Sequence, residues 1–198
     1  MVENEQAVAL IPVREKVELA MAELDDFEFL VKSHQQRIYR VLLGMLRDPD
    51  AAQNLTQECF LKAYRSRASF RGEANVGAWL LKIAINLARD HRRSRLREFW
   101  HRWSSPVEEA EDLGERLPDP HPSPEDALLG REAAEAVWQV VDKLSPQQRA
   151  VFVLRFVEEL SLEEIAAATG VKMGTVKAHL FRAVHAVRRQ IKGGKSGE

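Results

Sequence analysis

Apolar residues in this chain recur three and four positions apart rather than on every second position, which is the spacing of helices and not of strands. Phe27, Leu30, Val31, Ile38, Leu42 and Met45 form a first such series. Asp48-Pro49-Asp50 interrupts it, and Asp50 is placed to cap a second helix running to about Arg65. Ser69 to Asn75 reads as a loop. A third helix starts near Val76 and runs into Arg92-Arg93, with Trp79, Leu80, Ile83, Ala84 and Leu87 on one face.

Further along, two helix starts are chemically explicit. Ser145-Pro146-Gln147-Gln148 and Ser161-Leu162-Glu163-Glu164 each place a serine at the cap and a Gln or Glu that can bond back to it. The short helix from Ser161 to Thr169 ends at Gly170, which can take a positive φ. Val171-Lys172-Met173 makes a turn, and a longer helix begins at Gly174-Thr175. Its Val176, Leu180, Ala183, Val184, Val187 and Ile191 form one apolar stripe, while Lys177, Phe181, Arg182, His185 and Arg188 occupy the opposite face. Two short helices crossing at a glycine-containing turn predict a helix-turn-helix.

Between 104 and 124 the periodicity stops. Pro106, Pro118, Pro120, Pro122 and Pro124 alternate with Glu108, Glu109, Glu111, Asp112, Glu115 and Asp119, the composition of an extended linker. The expected architecture is therefore all-α: two small helical domains joined by an acidic Pro-rich linker, the second with a helix-turn-helix. The boundaries are a leader at 1–23, a first domain at 24–103, the linker at 104–124, a second domain at 125–192 and a tail at 193–198.

Composition adds exclusions. Of 198 residues, 45% are hydrophobic, enough for real cores. The lone Cys59 removes a disulfide framework and a cysteine-based zinc site. No apolar run is long enough to span a membrane, and the acidic start lacks the basic region of a signal peptide, so a cytoplasmic location without membrane insertion is expected. There is no Gly-rich phosphate loop, no nucleophile–base set, and the six histidines are scattered. Neither an enzyme nor a cofactor or metal site is expected.

The net charge of −1 argues at first against nucleic acid. Its distribution reverses that. Residues 1–63 carry −4, 64–103 carry +7, 104–142 carry −9 and 143–198 carry +5. Two basic blocks flank an acidic one, and clustered Lys and Arg are the footprint of polyanion binding. In the third helix Lys82, Asn86, Arg89 and Arg93 share a stripe, offering cations for phosphates and an amide for a base edge. On the last helix Lys177 and Arg182 can donate to guanine edges or phosphates, and Phe181 can meet a thymine methyl.

Leu144-Ser145-Pro146-Gln147-Gln148-Arg149, Ser161-Leu162-Glu163-Glu164-Ile165-Ala166 and Gly174-Thr175-Val176-Lys177 together resemble the C-terminal domain of bacterial sigma factors of the extracytoplasmic-function (ECF) type. Asp50 to Tyr64 is similar to the family segment that docks on the RNA polymerase clamp. Phe70-Arg71-Gly72 through Trp79-Leu80, with Ile83-Ala84-Ile85-Asn86, is similar to the part that opens and reads the −10 promoter element. The resemblance covers about residues 24–192 in order and spacing.

The resemblance implies partners and roles. Lys172, Thr175, Lys177, His179, Phe181 and Arg182 would face the −35 element. Arg71, Asn75, Lys82, Asn86, Arg89, Asp90 and Arg93 would serve the −10 element, with the Phe70–Gly77 loop cupping a flipped base. Asp48, Leu55, Gln57 and Glu58 would contact core RNA polymerase, and an anti-sigma factor would hold the protein inactive. The acidic linker would thread the polymerase's RNA exit path. The chain departs from many relatives in carrying Val76-Gly77 where aromatics are frequent, Gln53-Asn54 in place of acids, Ala178 in place of a small polar residue, and Lys172 where a capping residue is frequent. Two other classes remain open on residues alone: a stand-alone helix-turn-helix regulator, which would leave 24–103 unused, and a decoy that binds an anti-sigma partner without reading DNA.

Overall fold

The computed structural model describes residues 24, 26–70, 75–103 and 124–193, with the side chains of 69, 96–103, 124–133 and 191–193 set aside. The expected leader and tail, and the linker up to 123, lie outside the described residues, as does Arg71. Helix α1 spans Phe27–Leu46, and the Asp26 carboxylate caps it by accepting from the Phe29 N–H at 3.0 Å. It ends at Arg47, which adopts a left-handed φ of 58° and donates its N–H to the Leu43 carbonyl at 2.7 Å.

Helix α2 spans Pro49–Ser66 and is capped by Asp48, whose carboxylate accepts from the Ala51 N–H at 2.9 Å. The cap is thus Asp48, not Asp50. Pro49 is at the first helical position, and the residue before a proline is driven into extended backbone, the conformation a cap needs. A short 3-10 turn, Arg67–Ser69, leads out. Helix α3 spans Val76–Trp103 and starts under the Asn75 side chain, whose Oδ1 accepts from the Ala78 N–H at 2.6 Å. Val76 and Gly77 therefore belong to the first helical turn and are buried, not part of an open loop.

The second module begins with α4, Pro124–Lys143. Both expected capping boxes form: Ser145 starts α5, Pro146–Phe156, and Ser161 starts α6, Leu162–Thr169. Gly170 ends α6 at φ 70°, and α7 spans Met173–Gly193. Six of the seven α-helices among the described residues were expected, in this order; α4 is the addition, and no strand occurs among those residues.

Helices α1, α2 and α3 pack pairwise, while α7 lies against α4, α5 and α6. The two modules are not separate bodies. Helix α3 packs on α6, α1 packs on α5, and one buried cluster runs from Leu30, Ile38 and Leu42 through Leu81 and Ile85 to Val153, Leu154 and Ile165. The breadth of the α3 apolar surface explains this. Besides Leu80, Ala84 and Leu87, it buries Leu81, Ile85 and Ala88, so the helix is covered from more than one side. Each fully buried Leu or Ile contributes about 1.5–3 kcal/mol. Small modules that bury too little alone gain stability by sharing a core.

At Gly44 the seam is tight: a Cβ there would sit 3.1 Å from Val153 Cγ1 and 3.5 Å from the Trp138 ring, so a larger residue would push on both. Polar contacts flank the point. Arg149 is buried, with Nη1 donating to the Met45 carbonyl at 3.0 Å and pairing with Asp142 at 3.0 Å. Arg92 donates to the same carbonyl at 3.2 Å. Burial pushes the Asp142 carboxyl above the usual carboxylate range, against the pull of Arg47 and Arg92. Arg47 pairs with Glu135 at 2.9 Å and lies over the Trp138 ring.

Candidate nucleic-acid interface

On α7 burial follows the expected stripe. Val176, Ala183 and Val187 are buried and Leu180 and Val184 half-buried, while Lys177, Phe181, Arg182, His185 and Arg188 are exposed. Phe181 is 72% exposed and stacks on His185, with ring centroids 6.1 Å apart. An aromatic side chain so exposed on a cationic face is a contact surface looking for an apolar partner. Thr175 is exposed, and Lys172 is exposed with its carbonyl accepting from the Thr175 and Val176 N–H groups. His179 differs: it is half-buried, and its Nδ1 is buried without a hydrogen-bond partner. Its imidazole therefore presents at most one edge to solvent.

On α3, Lys82, Asn86, Asp90 and Arg93 are exposed and Arg89 is half-buried. Arg89 reaches Asn86 Oδ1 at 3.4 Å, so the amide and a cation already lie side by side. Trp79 is half-buried and packs against the core, its ring 5.3 Å from that of the buried Phe70. It is a packing residue, as its place on the apolar stripe predicts. Asn75 is exposed, but its Oδ1 is engaged in capping α3, which leaves its amide nitrogen for any outside contact.

The expected polymerase-docking residues divide. Gln57 and Glu58 are exposed on α2. Leu55 is 8% exposed and belongs to the core, and Asp48 is the α2 cap and pairs with Arg95 at 3.3 Å. Leu55 thus packs the helix from its core side, while the Asp48 side chain remains 37% exposed beside its cap. The i, i+4 relation of Leu55 to the buried Cys59 puts Leu55 on the core side of α2.

The residues that sequence reasoning missed are Leu61 and Tyr64. They are 55% and 47% exposed and, with Phe27, Val31, Gln57 and Phe60, line an apolar groove between α1 and α2. The signal was available: both are large apolar side chains at the positions that the polar face of α2 should occupy. Cys59 is buried beneath them with its Sγ 3.6 Å from the Leu80 carbonyl, and burial pushes its thiol up to about 12. Among the described residues no group of histidine, cysteine or carboxylate side chains could hold a metal ion, and no helix is long and apolar enough to cross a membrane.

Two helical modules each present a basic stripe, one of them on a helix-turn-helix, and an apolar groove lies apart from both between α1 and α2. Comparison with known proteins gives the family. Residues 30–98 match Sigma-70 region 2 and residues 134–187 match Sigma-70 region 4. The chain is 34% identical over 169 residues to the RNA polymerase sigma-H factor of Pseudomonas aeruginosa, covering 83% of this chain and 86% of that protein. It is 30% identical over 168 residues to the ECF RNA polymerase sigma factor SigW of Bacillus subtilis, covering 85% and 90%. Its fold is shared with the sigma factor RpoE of Bartonella quintana, solved in complex with the anti-sigma factor NepR, at a TM-score of 0.65 and 23% identity over 84% of this chain and 97% of that one. The chain belongs to the sigma-70 family and is a sigma factor of the ECF type.

Proposed function

We propose that this chain is a promoter-recognition subunit that docks on core RNA polymerase, reads a −35 and a −10 element, and helps open the DNA, leaving phosphoryl chemistry to the polymerase. The observation that carries the reading is the pair of solvent-facing basic stripes on α3 and α7, one in each family module. On α7, Lys177 and Arg182 suit guanine edges or phosphates, and Phe181 suits a thymine methyl in duplex −35 DNA. Lys172, Thr175 and His179 flank them and suit backbone contacts.

On α3, Asn86 and Asp90 would read −10 bases, while Lys82, Arg89 and Arg93 hold phosphates, with Arg71 and Asn75 at the entrance. Gln57 and Glu58 with the exposed Leu61 and Tyr64 would form the polymerase contact, Asp48 and Leu55 fixing the helix that carries them. An anti-sigma factor is the proposed inhibitor, and the setting is the cytoplasm, where the polymerase works. A stress- or envelope-responsive set of genes is the proposed output.

Core polymerase pull-down followed by run-off transcription tests the reading. Initiation should require both core and chain. Lys177→Ala with Arg182→Ala should abolish −35 dependence and leave core binding intact. Core-independent binding to an operator site would overturn the proposal in favour of a stand-alone regulator, and the absence of both initiation and operator binding would favour the decoy.

A further inference from the structure

The exposed face of α7 carries more than cations. Gly174, Ala178, Phe181 and His185 stand four, three and four positions apart, so they form one lane along the helix. Lys177, Arg182 and Arg188 border it, and all seven residues are exposed. A Cβ on Gly174 would meet nothing within 4 Å, so the lane is open at the start of the helix. In a helix-turn-helix that is the end that meets base edges.

Phe181 is the large apolar group of this lane. A lone exposed phenylalanine turns among its rotamers and gives up that freedom on binding. His185 restricts it beforehand. Helical side chains lean toward the N-terminus, so the imidazole, one turn further on, folds back over the 181 position. The two rings are stacked, with centroids 6.1 Å apart and planes 28° from parallel. The backbone beneath them is firm, because Ala183 and Val187 bury the opposite side of the same turns. One turn before Phe181, Ala178 adds a methyl group and no charge.

The major-groove edge of DNA offers one apolar group that suits a ring beside a methyl: the C5 methyl of thymine. Resting on the −35 reading proposed above, we infer that His185 is a positioning residue, holding the Phe181 ring so that ring and Ala178 together receive one thymine methyl. Lys177 and Arg182 supply attraction to phosphates and guanines, while the stacked pair supplies preference for thymine over a base without the methyl. The stack does this work, not the charge an imidazole can carry.

The test uses the full chain bound to core polymerase and −35 duplexes from a promoter that this holoenzyme transcribes. Each thymine is replaced in turn by deoxyuridine, which removes the methyl and nothing else. At one thymine the unmodified holoenzyme should lose about fourfold in affinity, the worth of one methyl-sized group taken from water. Phe181→Ala should abolish that preference. His185→Ala should cut it below about twofold, chiefly by weakening the thymine duplex, because the ring must then be ordered on binding. His185→Phe, which keeps a stacking ring and carries no charge, should restore it, and His185→Gln should not. Equal weakening of both duplexes by His185→Ala would overturn the positioning role, since a phosphate contact acts on both alike. Failure of His185→Phe to recover the preference would overturn it too. If His185→Ala loses its helical melt, His185→Gln decides: a preference kept refutes the role, and one lost in a folded chain supports it. A preference abolished by Phe181→Ala yet kept in His185→Ala refutes His185 alone. No thymine with a methyl that matters refutes the Phe181 contact beneath it.

Discussion

The two helices proposed to face DNA carry their basic stripes on opposite terms. Helix α7 buries one stripe and leaves the rest of its surface to solvent, so its reading face is structurally free. Helix α3 buries Leu80, Leu81, Ala84, Ile85, Leu87 and Ala88, and its reading residues occupy the strip that remains. Sequence on α7 can change with promoter preference at small cost to folding. Changes on α3 run quickly into the shared core.

The sharpest way to break this contrast is Leu81→Ala on α3. It should destabilise the chain by about 2–5 kcal/mol in urea unfolding, because a fully buried side chain leaves a cavity. A loss under 1 kcal/mol would mean the helix is not packed on several sides. Arg149→Ala comes next, expected at about 1–3 kcal/mol through its lost contacts to the Met45 carbonyl and Asp142. Removing the α6 cap by Ser161→Ala should cost about 1 kcal/mol and loosen the helix-turn-helix.

Phe181→Ala on α7 should then change stability by under about 0.5 kcal/mol. It should weaken binding of the holoenzyme to a −35 duplex by about tenfold, read by fluorescence anisotropy. If stability fell as much as for Leu81→Ala, the two helices would be equivalent and the comparison lost. Cys59 gives the smallest effect. Its thiol is raised from 9.0 to about 12 by burial, so the folded chain should resist a thiol reagent at neutral pH and react on denaturation. A raised folded pKa means that this contribution to stability is whole below about pH 9 and is lost as pH rises through about 12.

What could be read from the amino acids was local. Both serine capping boxes, the Gly170 turn and the α7 stripe are decided by residues within a turn of one another, and each forms as expected. The α2 cap was displaced by two residues because Pro49 fixes the register more strongly than the second aspartate. The burial of Leu55 could not be read because helical spacing alone does not tell which of two flanking faces is covered. The seam was invisible, since Gly44 and Arg149 lie far apart along the chain and neither carries a local signal of its partner. Only the unusual width of the α3 apolar surface hinted at it.

Arg47 shows what that seam does to the chain itself. A left-handed backbone costs an ordinary side chain about 1–2 kcal/mol, and here the guanidinium that holds the turn in place leans on Glu135 and Trp138 of the other module. Taking those supports away should therefore unsettle the end of α1: Trp138→Ala should shift the backbone resonances around Arg47, read by NMR with no label attached, and Arg47→Gly, which removes both the strain and the contact, should abolish that response.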